Sequence, residues 1–331
     1  MRRPGRIRPG LFFAHAIHYA RRVPGAVTLL ARDIKVAHSV FALPFALLGA
    51  SLAAARQQTT PARLAGQFAL VVACMVAART WAMLVNRLAD RRFDAANPRT
   101  ARRAIASGAV SVRAGGLAAA VCAAVFLLCC AGFWLLDENI WPLALGAPVL
   151  AWIGAYSYAK RFTWASHIFL GGALAASPIA AAIAIDPATL RGPTVWWLSA
   201  FVLFWVAGFD IFYALQDRDV DRELRLHSAP ARFGTRGALV VARVLHACAI
   251  AALAMAWRVD RKLGALFGVG VALAVALIVV EHVIVANASH APSSGSDEPA
   301  PTLNMAFFTL NGVVSCVVGG SGIAEVFGVF D

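Results

Sequence analysis

Apolar segments close to the length needed to cross hydrocarbon recur along this chain, at 34–54, 64–85, 115–136, 141–158, 164–185, 194–215, 237–257, 264–286 and 303–323. A helix needs about 20 residues to span a bilayer core, and a backbone in hydrocarbon must satisfy its own hydrogen bonds. Those two facts leave helix bundles and closed barrels. No strand-length alternation of apolar and polar residues recurs, and the segments are rich in Ala, Leu and Val, which argues against a barrel. The sequence therefore predicts an all-α membrane protein, a bundle of about nine transmembrane helices. Composition agrees: 60% of the 331 residues are hydrophobic and 14% are charged, against roughly 25% charged in soluble domains.

The formal net charge is +13, and its distribution says why. With the N-terminus inside, the cytoplasmic segments 1–32, 87–114, 159–163, 217–236 and 287–302 hold 7, 7, 2, 5 and 0 Lys/Arg, and the opposite loops hold 6 together. This is the positive-inside pattern. It predicts a cytoplasmic N-terminus, and a cell (inner) membrane location if the source is bacterial. No aromatic-basic module accompanies the charge, so nucleic acid is excluded as a partner. Residues 1–32 form a basic N-terminal segment expected to lie at the interface, leaving 33–331 as one transmembrane domain. The six cysteines fall inside predicted spans without metal-ligand spacing and read as small packing residues.

Acidic residues are scarce, 17 in all, yet they gather at two span ends. In "NRLADRRFDAANPRT", Asn86, Asp90 and Asp94 are four apart and share one helical face. In "FDIFYALQDRDVDRE", Asp210, Asp217 and Asp221 are seven and four apart and again share a face, while Asp219 and Glu223 point elsewhere. Two carboxylate clusters on one membrane side repel each other unless a cation joins them. Their hard oxygens suit Mg²⁺, which usually keeps water and shares phosphate oxygens. Lys160, Arg161, Arg79, Arg99, Arg103 and Lys35 then supply the basic half of a diphosphate site.

The same stretches carry a family resemblance. "NRLADRRFDAANPRTARRAIASG" and "DIFYALQDRDVDRELRLHSAPARFG" resemble the two signature regions of the UbiA superfamily of intramembrane aromatic prenyltransferases. "KVAHSVFALPFALLGA" and "YSYAKRFTWASHIFLG" are similar to further stretches of the branch containing 4-hydroxybenzoate polyprenyltransferases and their menaquinone-pathway relatives. The resemblance implies a nine-helix bundle around a central cavity with a cytoplasmic cap. It also implies Mg²⁺-dependent transfer of a polyprenyl group from polyprenyl diphosphate to an aromatic acid acceptor, such as 4-hydroxybenzoate or a dihydroxynaphthoate, in ubiquinone or menaquinone biosynthesis. On that pattern Asn86, Asp90, Asp94, Asp217 and Asp221 hold the metal, and Asp210 and Tyr213 stand in the "DxxYAxxD" portion. Lys160 and Arg161 match its basic pair.

The reaction so implied needs a dry, aromatic-walled cavity for an allylic cation, for which Tyr156, Tyr158, Phe162, Phe209 and Tyr213 are candidates. Arg79 is a candidate for holding an acceptor carboxylate, and Asp210 for taking a proton. Three departures stand out: Arg87 after Asn86, Ala104 and Ala106 in place of prolines, which should loosen their loop, and Arg225 in place of glycine, which is strained if its φ is positive. The alternative reading is a secondary transporter with a cytoplasmic-side acidic cation site. Against it, the acids cluster at one membrane face instead of the midplane.

Overall fold

The structure, a computed structural model, describes residues 25–34, 41–290 and 306–328. Among these residues every regular element is helical. In chain order the helices are α1 (Ala26–Ile34), α2 (Leu43–Ala54), α3 (Pro61–Ala96), α4 (Val112–Asp137), α5 (Trp141–Ala159) and α6 (Ser166–Ile185). There follow α7 (Thr194–Ala214), α8 (Arg218–Glu223), α9 (Ala229–Val259), α10 (Ala265–His290) and α11 (Asn311–Val326). Each expected span contains one of the ten helices after α1, other than the short α8.

Seven helical stretches among the described residues are long and apolar enough to cross a membrane: α3, α4, α6, α7 continued to Glu223, α9, α10, and α11 from Phe308. The two remaining expected spans fall short for different reasons. The α5 helix has 19 residues, but Pro142 and Pro148 and its Trp and Tyr residues dilute its apolar character. The α2 helix has only 12 residues, and the stretch before it, which includes Lys35 and His38, lies outside the described residues.

Local chemistry sets the helix ends. Thr60 caps α3, its hydroxyl accepting from the Arg63 N–H at 3.3 Å, with Pro61 at the first helical position. Ser228 does the same for α9, accepting from Ala231 N–H at 3.3 Å ahead of Pro230. Asn97 closes α3 immediately before Pro98, which cannot continue it.

Neighbouring helices pack as neighbours: α3 on α4, α5 on α6, α6 on α7, α7 on α9 and α10 on α11, while α11 returns to α2 and α2 lies on α6. Lipid offers no hydrophobic drive for this packing, so small residues let backbones approach closely. A Cβ on Gly171 of α6 would meet the Leu203 carbonyl oxygen of α7 at 2.2 Å. The fully buried Trp205 anchors the core, stacked on Phe201 at 5.6 Å and edge-on to Phe209 at 5.0 Å. Its indole N–H donates to Asn311 Oδ1 at 2.9 Å, and Asn311 Nδ2 donates to the buried Glu281 at 2.6 Å. The membrane-embedded acid is thus hydrogen-bonded, as burial requires.

Candidate active site

With 36 residues, α3 is about 54 Å long at 1.5 Å per residue, well beyond the ~30 Å hydrocarbon thickness. Its last turns therefore stand clear of the apolar layer and carry Asn86, Asp90 and Asp94. The α7 helix reaches the same level differently. It stops at Ala214, passes through a 3₁₀ turn at Leu215–Asp217, and restarts as α8. Asp210, Asp217 and Asp221 are therefore not on one continuous helix, as their spacing suggested. They nevertheless face one space: a cavity of about 250 Å³ lined by Asn86, Asp90 and Asp94 on one wall and Asp210, Tyr213, Asp217 and Asp221 on the other. Arg79, Arg99, Arg103, Lys160 and Arg161 line it too. Every site residue expected from sequence is there except Lys35, which lies outside the described residues.

Around the rim each acid meets a base. Arg99 grips Asp217 with two contacts, Nε to Oδ1 at 2.9 Å and Nη2 to Oδ2 at 2.5 Å, while its Nη1 donates to the Tyr213 hydroxyl at 2.7 Å. Asn97 Nδ2 adds a third donor to Asp217 Oδ1 at 3.0 Å. Arg103 donates to Asp94 at 2.7 Å. Lys160 lies 3.4 Å from Asp221, and Arg161 3.4 Å from Asp90 while donating to the Ala89 carbonyl at 2.8 Å. Burial pulls the Lys160 ammonium down, but Asp221, Asp217, Asp210 and Asp90 outweigh it and hold the group above its ordinary range. Arg99 is likewise raised: desolvation opposes its charge, and the Asp217 carboxylate more than offsets that.

Deeper in, the pattern changes. Arg79 Nε is buried without a hydrogen-bond partner among the described residues. Arg87, 8% exposed, also has an unpartnered Nε, and its Nη1 donates to Asn86 Oδ1 at 2.9 Å. Asn86 in turn donates to Asp90 at 2.9 Å. Six cations and five carboxylates line the cavity among the described residues, a net of +1. Arg79, Tyr156, Leu170 and Leu174 also line a second, strongly apolar cavity of about 290 Å³, walled by residues such as Val71, Met75, Phe126, Phe133 and Ile153. The polar chamber thus adjoins an apolar one, with Arg79 and Tyr156 among the residues lining both.

Could the acids hold a divalent cation? No three His, Cys, Asp or Glu side chains among the described residues converge as a ready-made cage. The donor set is nonetheless composed of hard oxygens, and Asp94 Oδ2 is buried without a partner. Mg²⁺ typically takes one or two carboxylates and completes its shell with water and phosphate. The residues fit a metal that arrives with a phosphate ligand.

Two further features were partly visible in the sequence. Arg225 has φ 55°, so the suspected strain is present. Leu226 N–H bonds to Asp221 O at 2.7 Å and Arg225 N–H to Arg222 O at 3.1 Å, the helix-ending motif in which glycine usually holds this position. The following residue, His227, donates its N–H to the Lys160 carbonyl at 2.6 Å, which ties this turn to the basic pair. The loop containing Ala104 is pinned, contrary to the loosening expected. Ala104 is buried, and its N–H, which proline would lack, donates to Asp33 of α1 at 2.9 Å.

Of the aromatic candidates, Tyr156, Phe209 and Tyr213 line the chamber, as do Phe41 and Phe308. Tyr158 and Phe162 do not; they are 42% and 78% exposed, and Tyr158 instead underlies the Arg161 guanidinium at 4.6 Å. Sequence reasoning missed Asn97, although Asn before Pro at a helix end was a usable signal. It also missed His167, which is 1% exposed and whose Nδ1 lies 2.6 Å from Asp210 Oδ2.

Comparison with known proteins bears on this geometry. The chain is 31% identical over 231 residues to 4-hydroxybenzoate octaprenyltransferase of Pseudoalteromonas atlantica, covering 69% of this chain and 76% of that one. It is 34% identical over 196 residues to the protein of that name from Polaromonas naphthalenivorans, covering 58% and 63%. Its fold superposes with TM-score 0.73 on a UbiA homolog from Aeropyrum pernix, at 31% identity over 86% of this chain and 96% of that one. It superposes at 0.64 on a UbiA homolog from Archaeoglobus fulgidus solved with GPP and Mg²⁺, at 18% identity over 90% and 99%. The model of the UbiA prenyltransferase family matches residues 42–296, a range that holds both acidic walls, the basic rim and the apolar chamber behind them, and the chain belongs to that family of membrane-embedded prenyltransferases.

Proposed function

We propose that the protein transfers a polyprenyl group from polyprenyl diphosphate to the ring of an aromatic acid, with 4-hydroxybenzoate the leading acceptor and a dihydroxynaphthoate the other, in quinone biosynthesis. The observation that carries this reading is the adjacency of the two cavities, which share Arg79, Tyr156, Leu170 and Leu174. A charged chamber suited to a diphosphate lies beside an apolar one suited to a prenyl tail, with Arg79 and Tyr156 lining both. Relatives named 4-hydroxybenzoate octaprenyltransferase support the acceptor class. The positive-inside distribution supports placing the N-terminus and the chamber on the cytoplasmic side.

In this reading Lys160, Arg161, Arg99 and Arg103 bind the diphosphate, with Lys35, which lies outside the described residues, assigned the same role from sequence alone. A net charge of +1 does not neutralise that group alone, which supports a role for a divalent cation. Mg²⁺ held by Asn86, Asp90, Asp94, Asp217 and Asp221 would supply the missing charge against the leaving group. The rim cations and carboxylates, paired with each other here, would then turn to phosphate and metal respectively. The C1–O bond breaks with its electron pair leaving on the diphosphate, and ring π electrons form the new C–C bond. The ring proton passes to the Asp210 carboxylate. Arg79, whose buried Nε has no hydrogen-bond partner among the described residues, holds the acceptor's carboxylate, and Tyr213, bonded by Arg99, walls the reacting carbon.

The test is purified protein in detergent with Mg²⁺ and labelled prenyl diphosphates, offered 4-hydroxybenzoate, a dihydroxynaphthoate and their decarboxylated analogues. Ring-prenylated acid is expected, with KM for the acid rising at least tenfold in Arg79→Met. Prenylation of the decarboxylated analogues equal to that of the acids would overturn the acceptor assignment.

A further inference from the structure

The Asp210 carboxylate is held from behind. His167 enters from the first turn of α6, almost wholly buried. Its two ring nitrogens are both engaged. Nδ1 lies 2.6 Å from Asp210 Oδ2, and the backbone N–H of Ala229 donates to Nε2 at 3.3 Å. A ring nitrogen that accepts a hydrogen bond carries no proton, so Nδ1 is the protonated one and donates to Asp210. Ala229 is the first residue of α9, so the ring is also anchored at the start of that helix. These two contacts fix the orientation of the His167 ring.

We propose that His167 is a positioning residue for the transfer reaction: it ties up Asp210 Oδ2, and so presents Oδ1 to the substrate chamber as the oxygen that receives the ring proton. This inference rests on Asp210 acting as the proton acceptor. His167 does not itself take the proton onward, because Nε2 is committed to the Ala229 N–H. The proton stays on Oδ1 until it leaves through the chamber. Across the chamber, Tyr156 of α5 and Lys160 at that helix's C-terminal cap lie close enough to Asp210 to feel its charge. The hydrogen bond from His167 fixes the orientation of the Asp210 carboxylate.

Three variants separate this role from simple packing. His167→Asn keeps an amide N–H where Nδ1 stands; His167→Gln places its amide near Nε2 instead; His167→Phe keeps the ring and removes both nitrogens. A hydrogen bond to a charged group is strong enough that losing it should cost about 10- to 100-fold. We expect that loss in kcat for the Phe and Gln variants, with KM for both substrates within about threefold of wild type. His167→Asn should keep most of the turnover. In an Asp210→Asn background, itself impaired, His167→Phe should cost nothing further, because the residue acts only through that carboxylate.

If His167→Asn is as impaired as His167→Phe, or if the Phe variant loses as much in the Asp210→Asn background as alone, the positioning role is wrong and Asp210 is unaffected. Wild-type turnover in Asp210→Asn would instead remove the proton-acceptor reading itself. Should the Phe variant fail to fold, the Asn and Gln pair decides the question.

Discussion

Asp217 and Asp219 are two residues apart and differ in almost every physical respect. Asp217 is buried against Arg99 and Asn97 in the chamber wall; the side chain of Asp219 is 71% exposed and pairs with Arg218. Exposed pairs of that kind contribute little, so Asp219→Asn should leave turnover within about twofold. The rim cations invite the complementary test. Lys160→Ala and Arg161→Ala each remove a charge-assisted contact worth about 1.5–3 kcal/mol, so prenyl diphosphate affinity should fall roughly ten- to hundredfold while acceptor KM holds. Unchanged diphosphate affinity in correctly inserted protein would reduce both residues to topology signals. Lys160 gives this test a wide pH window. Its folded pKa is raised, so its pairing is fully present below the ordinary lysine value, about 10.4, and is lost only as pH climbs through the higher one.

Elements made some of these residues legible and hid others. The i, i+4 spacing of Asn86, Asp90 and Asp94 was readable because α3 runs unbroken to Ala96. Asp210, Asp217 and Asp221 were assigned to the right wall through the wrong geometry: the 3₁₀ step at Leu215–Asp217 contains neither Gly nor Pro, so nothing in the local sequence marks it. His167 was invisible because a lone histidine in an apolar helix carries no pattern; only the fold brings it to Asp210. Tyr158 and Phe162 show the opposite error, aromatics near the motif that the helix end turns outward. At the end of α8, the positive φ of Arg225 makes a stability prediction. A non-glycine residue in this conformation costs about 1–2 kcal/mol, and the side chain is exposed. Arg225→Gly should therefore stabilise the protein by about 1 kcal/mol with turnover intact, measured by thermal unfolding in detergent. A lower midpoint would mean that the guanidinium makes a contact worth more than the strain.

For the whole molecule, fold class and wall composition followed from two rules, bilayer length and helical spacing, because both act locally along the chain. What the sequence could not supply was pairing across it. Arg99 with Asp217, Arg103 with Asp94, Lys160 with Asp221 and Arg161 with Asp90 depend on how α3, α5 and α8 are brought together. The proposed mechanism requires both walls to act together, through one divalent cation, on one diphosphate. The direct test is turnover against Mg²⁺ concentration in wild type, Asp90→Asn and Asp217→Asn, one residue from each wall. No product is expected in EDTA, with recovery on adding Mg²⁺ and a loss of at least a hundredfold in turnover in both variants. Full turnover in EDTA, or a variant from either wall with the wild-type Mg²⁺ response, would contradict it.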